Sequence, residues 1–151
     1  MRIYHGQDLR RGRYSQIGRP YLLTTVTSKR EDIFRDWQLG RLLVNELKAT
    51  HDGGLAESLA WVIMPDHLHW LCVLNGISLD ALMRRVKSGS ALRVNRRLGR
   101  SGPLWQRGYH DHAVRAEEDI REIARYVIAN PLRARLVRRL GDYPLWDAVW
   151  L

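Results

Sequence analysis

Two histidines separated by a single residue, His67 and His69, lie within a run of strand-forming residues. Residues i and i+2 of a β-strand point to the same face of the sheet, so the two imidazoles would stand side by side while Leu68 points the other way. Two imidazoles at this spacing are half of a divalent metal site. The alternative is a pair of histidines on a half-buried strand, satisfied by hydrogen bonds, because this pattern alone lacks the other ligands.

Tyr126 and Asn130 form a second candidate pair, four residues apart in a segment predicted to be helical and therefore on one helix face. A tyrosine hydroxyl is a poor nucleophile at neutral pH because its pKa is about 10. A nearby divalent cation makes the phenolate far easier to form, and the side-chain carbonyl oxygen of Asn130 is a suitable ligand for Mg²⁺ or Mn²⁺. Tyr126 could equally be a packing tyrosine with its hydroxyl at the surface.

Other residues compete for these roles. His110 and His112 form a second alternating pair, which is either structural or in contact with the same metal or with phosphates. Tyr109 is another candidate nucleophile, although no ligand-like residue lies on a helical turn beside it. Glu122, one turn before Tyr126, either assists the metal or orients water, or else is a solvated surface carboxylate.

The elements that must position these residues are predicted from hydrophobic spacing and turn signals. Their order is strand, helix, strand, strand, helix, strand, helix, and the first six match an antiparallel βαββαβ ferredoxin-like sheet of the α/β (α+β) class. The last helix, which carries Tyr126, is an addition to that fold. The histidine strand would then be central. The predicted strands are 20–28, 58–63, 67–74 and 109–115, and the predicted helices are 36–49, 78 or 79 to 98, and 116–130.

The length of 151 residues fits one domain over 1–151, with the Arg- and Gly-rich segment 1–19 as a basic N-terminal arm. The one cysteine, Cys72, can form no internal disulfide and is expected to be a small core residue. The chain contains no run of about 18 apolar residues, so no membrane span is expected. The N-terminal residues lack the apolar centre of a signal peptide, which favours a cytoplasmic protein.

The net charge is +9, and the basic residues are concentrated in two segments. Residues 1–30 contain seven Arg or Lys and one acid, and residues 84–100 contain seven and none, whereas residues 31–80 contain three against eight acids. This segregation favours contact with a polyanion such as nucleic acid, although a solvated helix face is the alternative. The residues predicted to contact DNA are Arg10, Arg11, Arg13 and Arg19 in the arm, and Arg84, Arg85, Lys87 and Arg93 on the second helix.

The stretch Tyr126–Val137, with the sequence YVIANPLRARLV, resembles the signature of the REP-associated tyrosine transposases (RAYTs), which are single-tyrosine HUH transposase-like proteins. Other segments are similar to the same family and occur in the same order along the chain. They are 61–69, 104–109 and 111–115, together with Arg11–Arg13 and Asp142–Pro144. The resemblance therefore covers nearly the whole chain.

This resemblance implies a ferredoxin-like fold and an enzyme that cleaves and rejoins single-stranded DNA near palindromic hairpins, through a 5′-phosphotyrosine intermediate. It implies that His67 and His69 bind Mg²⁺ or Mn²⁺ and that Tyr126 is the nucleophile. Asn130 stands where relatives place a third ligand, although its side chain is shorter than the glutamine found there. The basic arm would help to read bases beside the hairpin, and no nucleotide cofactor would be needed.

Two alternatives stay open at this point. One is a non-catalytic protein that binds single-stranded or hairpin nucleic acid, which the basic segments support equally well. The other is a metal-dependent phosphodiesterase that uses water and forms no covalent adduct. A homodimer is a further open question, and with it whether Tyr126 reaches the histidines of its own chain or of a partner chain.

Overall fold

The computed structural model describes residues 4–5, 18–116 and 118–149. Within these residues the strands form one sheet with the order β1-β5-β2-β4-β3-β6, and every pairing is antiparallel. The strands are β1 (Tyr4–His5), β2 (Pro20–Val26), β3 (Ala56–Met64), β4 (His67–Leu74), β5 (His110–Ala113) and β6 (Trp146–Ala148). The α-helices are α1 (Trp37–Asp52), α2 (Leu79–Leu98), α3 (Ile120–Ile128) and α4 (Asn130–Arg133).

The inner order β5-β2-β4-β3 is that of the predicted ferredoxin-like sheet, so the fold prediction is confirmed and the histidine strand β4 is central. The short strands β1 and β6 extend the sheet at its two edges. Sequence spacing did not predict either of them, because two or three residues are too few to show an alternating pattern. Part of the segment predicted as an N-terminal arm, Tyr4–His5, is thus a sheet edge.

Helices α1 and α2 form where the sequence provides both an apolar stripe and a cap. The Asp36 side chain accepts a hydrogen bond from the Gln38 backbone at the start of α1, and the Ser78 side chain accepts one from Ala81 at the start of α2. Helix α2 ends at Gly99, whose φ of 66° is the left-handed conformation that glycine adopts most readily. The two helices pack against each other, and α1 also packs against β3.

Helix α3 is shorter than predicted. The prediction placed it over 116–130, but it begins at Ile120, because the Asp119 side chain accepts hydrogen bonds from the Arg121 and Glu122 backbones and so acts as the N-cap. It ends at Ile128, and Asn130 instead opens the short helix α4, with Pro131 in its first turn. Proline is tolerated there because a first-turn N–H needs no intrahelical partner.

Both faces of the sheet are covered at β3. Its residues from Leu59 to Met64 are all buried, and successive strand residues point to opposite faces. Helices α1 and α3 both pack against β3, and α3 also packs against β4 and β6. We therefore place α1 and α2 on one face, and α3 and α4 on the other. Cys72 is buried as predicted, and this burial raises the pKa of its thiol.

Hydrogen bonds hold the chain after α4 against β3. The Tyr143 hydroxyl donates a hydrogen bond of 2.6 Å to the Ile63 carbonyl, and the Ile63 backbone N–H donates to the Leu145 carbonyl. Burial raises the pKa of Tyr143 to about 12. Among the described residues there is no helix with the length and apolar character that a membrane span requires.

Candidate active site

The two histidines of β4 lie together on one face of the sheet, as predicted. Their ring centroids are 4.8 Å apart, and the ring planes meet at 84°. Both residues are partly buried. The register places β2 and β3 residues beside them on the same face: Val26 and Met64 pair with His67, and Thr24 and Val62 pair with His69. The pair therefore lies on one of the two central strands of the sheet.

Each imidazole is anchored through its Nδ1 atom. His67 Nδ1 donates to Asp66 Oδ1 at 2.6 Å, and His69 Nδ1 is hydrogen-bonded to Thr24 Oγ1 at 2.9 Å. When both Nδ1 atoms carry their protons, the Nε2 lone pairs are available to a cation. In a metal-binding histidine, the ring nitrogen that does not bind the metal usually donates a hydrogen bond to an oxygen. This bond fixes the tautomer and the orientation of the ring. The anchoring is therefore what a metal site requires.

Asp66 also bonds to Arg30, since Arg30 Nε donates to Asp66 Oδ2 at 3.2 Å. Burial raises the pKa of Asp66, but the hydrogen bond and charge of His67, with the charge of Arg30, outweigh burial and lower it overall. Arg30 and the preceding Lys29 have φ values of 51° and 56°, in the left-handed region that such residues rarely adopt. No pattern in the sequence indicated Arg30, because it lies 36 positions before Asp66 and reaches it only through the fold.

His69 is the more deeply placed ring, and its pKa is lowered to about 3. The largest cause is burial, which disfavours the charged imidazolium, followed by the charges of His67 and Arg133. His69 is accordingly neutral at physiological pH. A neutral imidazole is the form that binds metal ions.

Tyr126 lies on α3 with 57% of its surface exposed. The Arg133 guanidinium stacks on its ring, with Cζ 3.8 Å from the ring centroid, and Arg133 Nη2 donates to the Tyr126 carbonyl at 2.6 Å. The charge of Arg133 also acts on His69. Arg133 is thus in direct contact with the candidate nucleophile. Within the part of the chain that the structure describes, the Tyr126 hydroxyl makes no hydrogen bond to either imidazole.

Asn130 follows the break between α3 and α4. Its Nδ2 donates to the Val127 carbonyl at 2.8 Å, so Oδ1 is the side-chain atom left for a ligand. Among the described residues, no cluster of three or more His, Cys, Asp or Glu side chains could hold a metal ion. Direct binding of a cation by Asn130 therefore stays a prediction.

The second histidine pair has a different environment. His112 is buried, and its Nε2 lies 2.9 Å from the carboxylate of Glu118, which also accepts the Arg115 backbone N–H. Burial raises the pKa of Glu118, but these hydrogen bonds outweigh it and the pKa is lowered. His110 pairs with Thr24, so the β2 strand separates it from His69 by about 10 Å between backbones. The contacts of His112 indicate a structural role.

The predicted DNA-contacting residues fall into four groups. Arg84 and Arg85 are exposed on α2, and Arg84 borders a cleft of about 470 Å³ that Arg107 also lines. Lys87 and Arg93 have intramolecular partners: Lys87 Nζ donates to the Gln106 and Gly108 carbonyls, and Arg93 Nε lies 2.7 Å from Glu46. Arg19 is partly buried just before β2. Arg10, Arg11 and Arg13 lie outside the described residues.

Three comparisons relate this chain to known proteins. The family model described as transposase IS200 like matches residues 18–130. A REP-associated tyrosine transposase of Escherichia coli strain K12 is 27% identical over 90 residues, which cover 58% of this chain and 52% of that protein. The chain thus matches about half the length of that curated relative.

Solved structures agree with the sequence comparison. The structure of a REP-associated tyrosine transposase bound to a REP hairpin matches with a TM-score of 0.69 and 25% identity, covering 89% of this chain and 79% of that one. A crystal structure of a Deinococcus radiodurans R1 protein described as a transposase has a TM-score of 0.56 and 22% identity, over 80% and 96% of the two chains, and supports the fold alone. Because the family model spans the histidine strand, Tyr126 and Asn130, the chain belongs to the IS200-like transposase family.

Proposed function

We propose that this protein cleaves and rejoins single-stranded DNA that carries hairpins, with Tyr126 as the nucleophile. The observation that carries the proposal is the imidazole pair, whose Nδ1 atoms are held by Asp66 and Thr24. The solved relative is bound to a REP hairpin, which supports hairpin DNA as the partner. Membership of the transposase family supports strand cleavage as the reaction.

The histidine pair fits a divalent cation, and we assign it Mg²⁺ or Mn²⁺. His67 and His69 would hold the ion through Nε2, and Asn130 Oδ1 is the candidate third ligand. The fit rests on the two anchored rings and on the neutral state of His69. When bound, the ion would polarise the scissile phosphate and stabilise the charge that develops on it.

In the proposed reaction the Tyr126 hydroxyl loses its proton to solvent, and its oxygen attacks the scissile phosphorus. The bond from phosphorus to the 3′-oxygen breaks, and that oxygen takes up a proton and leaves as a 3′-hydroxyl. The 5′-phosphate stays on Tyr126 as a phosphodiester. A second 3′-hydroxyl can attack the same phosphorus and release the tyrosine, so rejoining needs no nucleotide cofactor.

The exposed position of Tyr126 suits attack on a large substrate, since a DNA strand can reach it without opening the core. Basic side chains outside this site would hold the rest of the DNA through its phosphates. The candidates are Arg84, Arg85 and Arg107, which are exposed, together with Arg10, Arg11 and Arg13 of the N-terminal segment.

The test is to incubate the protein with a hairpin-bearing single strand and Mn²⁺, and to look for a covalent protein–DNA adduct. We expect an adduct with the wild-type protein and none with Tyr126→Phe, which keeps the ring and removes the attacking oxygen. Tyr109→Phe is the matched control, since it removes another tyrosine hydroxyl, one that donates to Asp80. An adduct that persists in Tyr126→Phe would remove Tyr126 from the role.

The same assay distinguishes the two other functions. A protein that only binds hairpin DNA would shift the labelled strand without cutting it. A phosphodiesterase that uses water would cut the strand without an adduct and would remain active as Tyr126→Phe.

A further inference from the structure

Arg133 lies directly against the candidate nucleophile, Tyr126. It lies on α4, which turns back after the break at Ala129, and its guanidinium covers one face of the Tyr126 ring. One of its N–H groups donates a hydrogen bond to the Tyr126 carbonyl. Its charge is also the third of the three causes that lower the pKa of His69, after burial and the charge of His67. Neither sequence spacing nor the family match assigns this residue a role.

The remaining donors of Arg133 point to an anionic ligand. A guanidinium carries five N–H groups in a planar fork that matches phosphate geometry, and the Tyr126 carbonyl takes up one of its nitrogens. In the part of the chain that the structure describes, no carboxylate forms an ion pair with Arg133. Because the guanidinium is exposed and no described carboxylate pairs with it, its remaining N–H groups are available to a phosphate that approaches Tyr126.

We propose that Arg133 binds the scissile phosphate and at the same time fixes the Tyr126 ring for attack. This inference rests on the proposed function. The guanidinium stacks on the ring of the attacking residue, so a phosphate attacked by the Tyr126 oxygen would lie beside it. The negative charge that builds up on the phosphate oxygens would then be stabilised by a fixed cation. Arg133 would therefore be a catalytic residue that touches the substrate.

A structural role is the competing explanation. The Tyr126 carbonyl belongs to the last turn of α3, and arginine side chains often bond such carbonyls and favour the negative end of a helix. Under this explanation Arg133 only caps the helix. Its loss would weaken the fold around Tyr126, and the effect on cleavage would not depend on the charge of the substrate. The charge of the scissile phosphate is thus the variable that separates the two roles.

The experiment compares Arg133→Ala with the wild-type protein on two hairpin-bearing strands, one with a normal scissile phosphate and one with a neutral methylphosphonate at that position. We expect Arg133→Ala to slow cleavage of the normal strand by on the order of 10²-fold, the loss typical of a transition-state donor. On the methylphosphonate strand the difference in rate between Arg133→Ala and the wild-type protein should largely disappear, because that strand lacks the negative charge that Arg133 neutralises. Arg125→Ala, which removes an exposed charge one residue before Tyr126, is the control and should cleave the normal strand at the wild-type rate.

A second readout needs no cleavage at all. Arg133 and a cation at His67 and His69 would repel each other in the absence of DNA, so Arg133→Gln should bind Mn²⁺ more tightly than the wild-type protein when no DNA is present. The assignment would be overturned if Arg133→Ala cleaved the normal strand as fast as the wild-type protein does. It would also be overturned if Arg133→Ala were equally slow, relative to the wild-type protein, on the methylphosphonate strand. Failure of the proposed function is distinct, because the wild-type protein would then form no adduct with either strand.

Discussion

Thr24 Oγ1 lies 2.9 Å from His69 Nδ1, across the pairing of β2 with β4. The two residues are 45 positions apart in the chain, and the strand register brings them opposite each other. The hydroxyl orients a ring that burial keeps neutral, and it does so from the neighbouring central strand. Thr24 is therefore the residue that holds one half of the candidate metal site in place.

Replacing Thr24 with valine keeps the shape of the side chain and removes the oxygen that anchors His69. We expect Mn²⁺ affinity to fall by about 10- to 100-fold, the usual effect of losing such a partner, while the fold is retained. Titration of Mn²⁺ by calorimetry measures this.

Thr25→Val is the matched control for that experiment. Thr25 is the next residue of β2, faces the other side of the sheet, and its buried Oγ1 makes no hydrogen bond within the described residues. Its removal should leave Mn²⁺ affinity unchanged and should not lower stability, since no hydrogen bond is lost. Equal loss of affinity in both variants would mean that Thr24 acts through general packing.

The lowered pKa of His69 predicts an acid-sensitive fold. Unfolding returns the group from a pKa of about 3 to the ordinary value of 6.5, so below 6.5 the unfolded chain binds a proton that the folded protein does not. Stability is therefore complete above pH 6.5 and falls progressively as the pH drops toward 3. Urea denaturation at pH 7, 5.5 and 4.5, values chosen to span this range, measures the loss as a change in unfolding free energy.

His69→Gln supplies the comparison for the acid titration, because glutamine cannot take up a proton. The variant should lose less stability than the wild-type protein over the same interval. If the two proteins lose stability equally between pH 7 and pH 4.5, His69 does not carry the proposed linkage.

The exposed arginines of α2 should contribute to DNA affinity without affecting the chemistry. Arg84→Ala and Arg85→Ala should each weaken hairpin binding similarly for all sequences and reduce the slope of log affinity against log salt by about 1. Fluorescence anisotropy at several salt concentrations measures both quantities. Arg41→Ala, an exposed arginine on α1, is the control. A salt slope that stays constant in Arg84→Ala and Arg85→Ala would place the DNA elsewhere.

The sequence predicted the elements whose signals are local. Helix α2 runs over Leu79–Leu98 as predicted, because Ser78 and Gly99 mark its ends within the segment itself. The placement of His67 and His69 on the same face of the sheet followed from the two-residue period of a strand. The chain order of strands and helices was then enough to infer the ferredoxin-like sheet.

Contacts that depend on packing between elements were not predictable in the same way. Arg93 was assigned to DNA because it lies in a basic segment, yet its guanidinium meets Glu46 of α1. Gly89 makes this approach feasible, since a Cβ there would lie 2.5 Å from the Glu46 carboxylate. The contact of Arg133 with Tyr126 likewise depends on the break between α3 and α4, which the predicted single helix over 116–130 did not include.

The position of Arg133 also bears on whether the active site is formed by one chain or by two. The guanidinium stacks on Tyr126, and its charge is among the causes that lower the pKa of His69 in the same chain, so we predict that one chain supplies both the candidate nucleophile and the imidazole pair. Mixing inactive Tyr126→Phe with inactive His69→Ala should therefore restore no adduct formation, because each chain lacks one half of its own site. Adduct assays on the mixture after co-refolding measure this, with each variant alone as the baseline. Activity that recovers in the mixture would mean that Tyr126 of one chain serves the histidines of another, and Arg133 would then have to exchange its present contacts when two chains assemble.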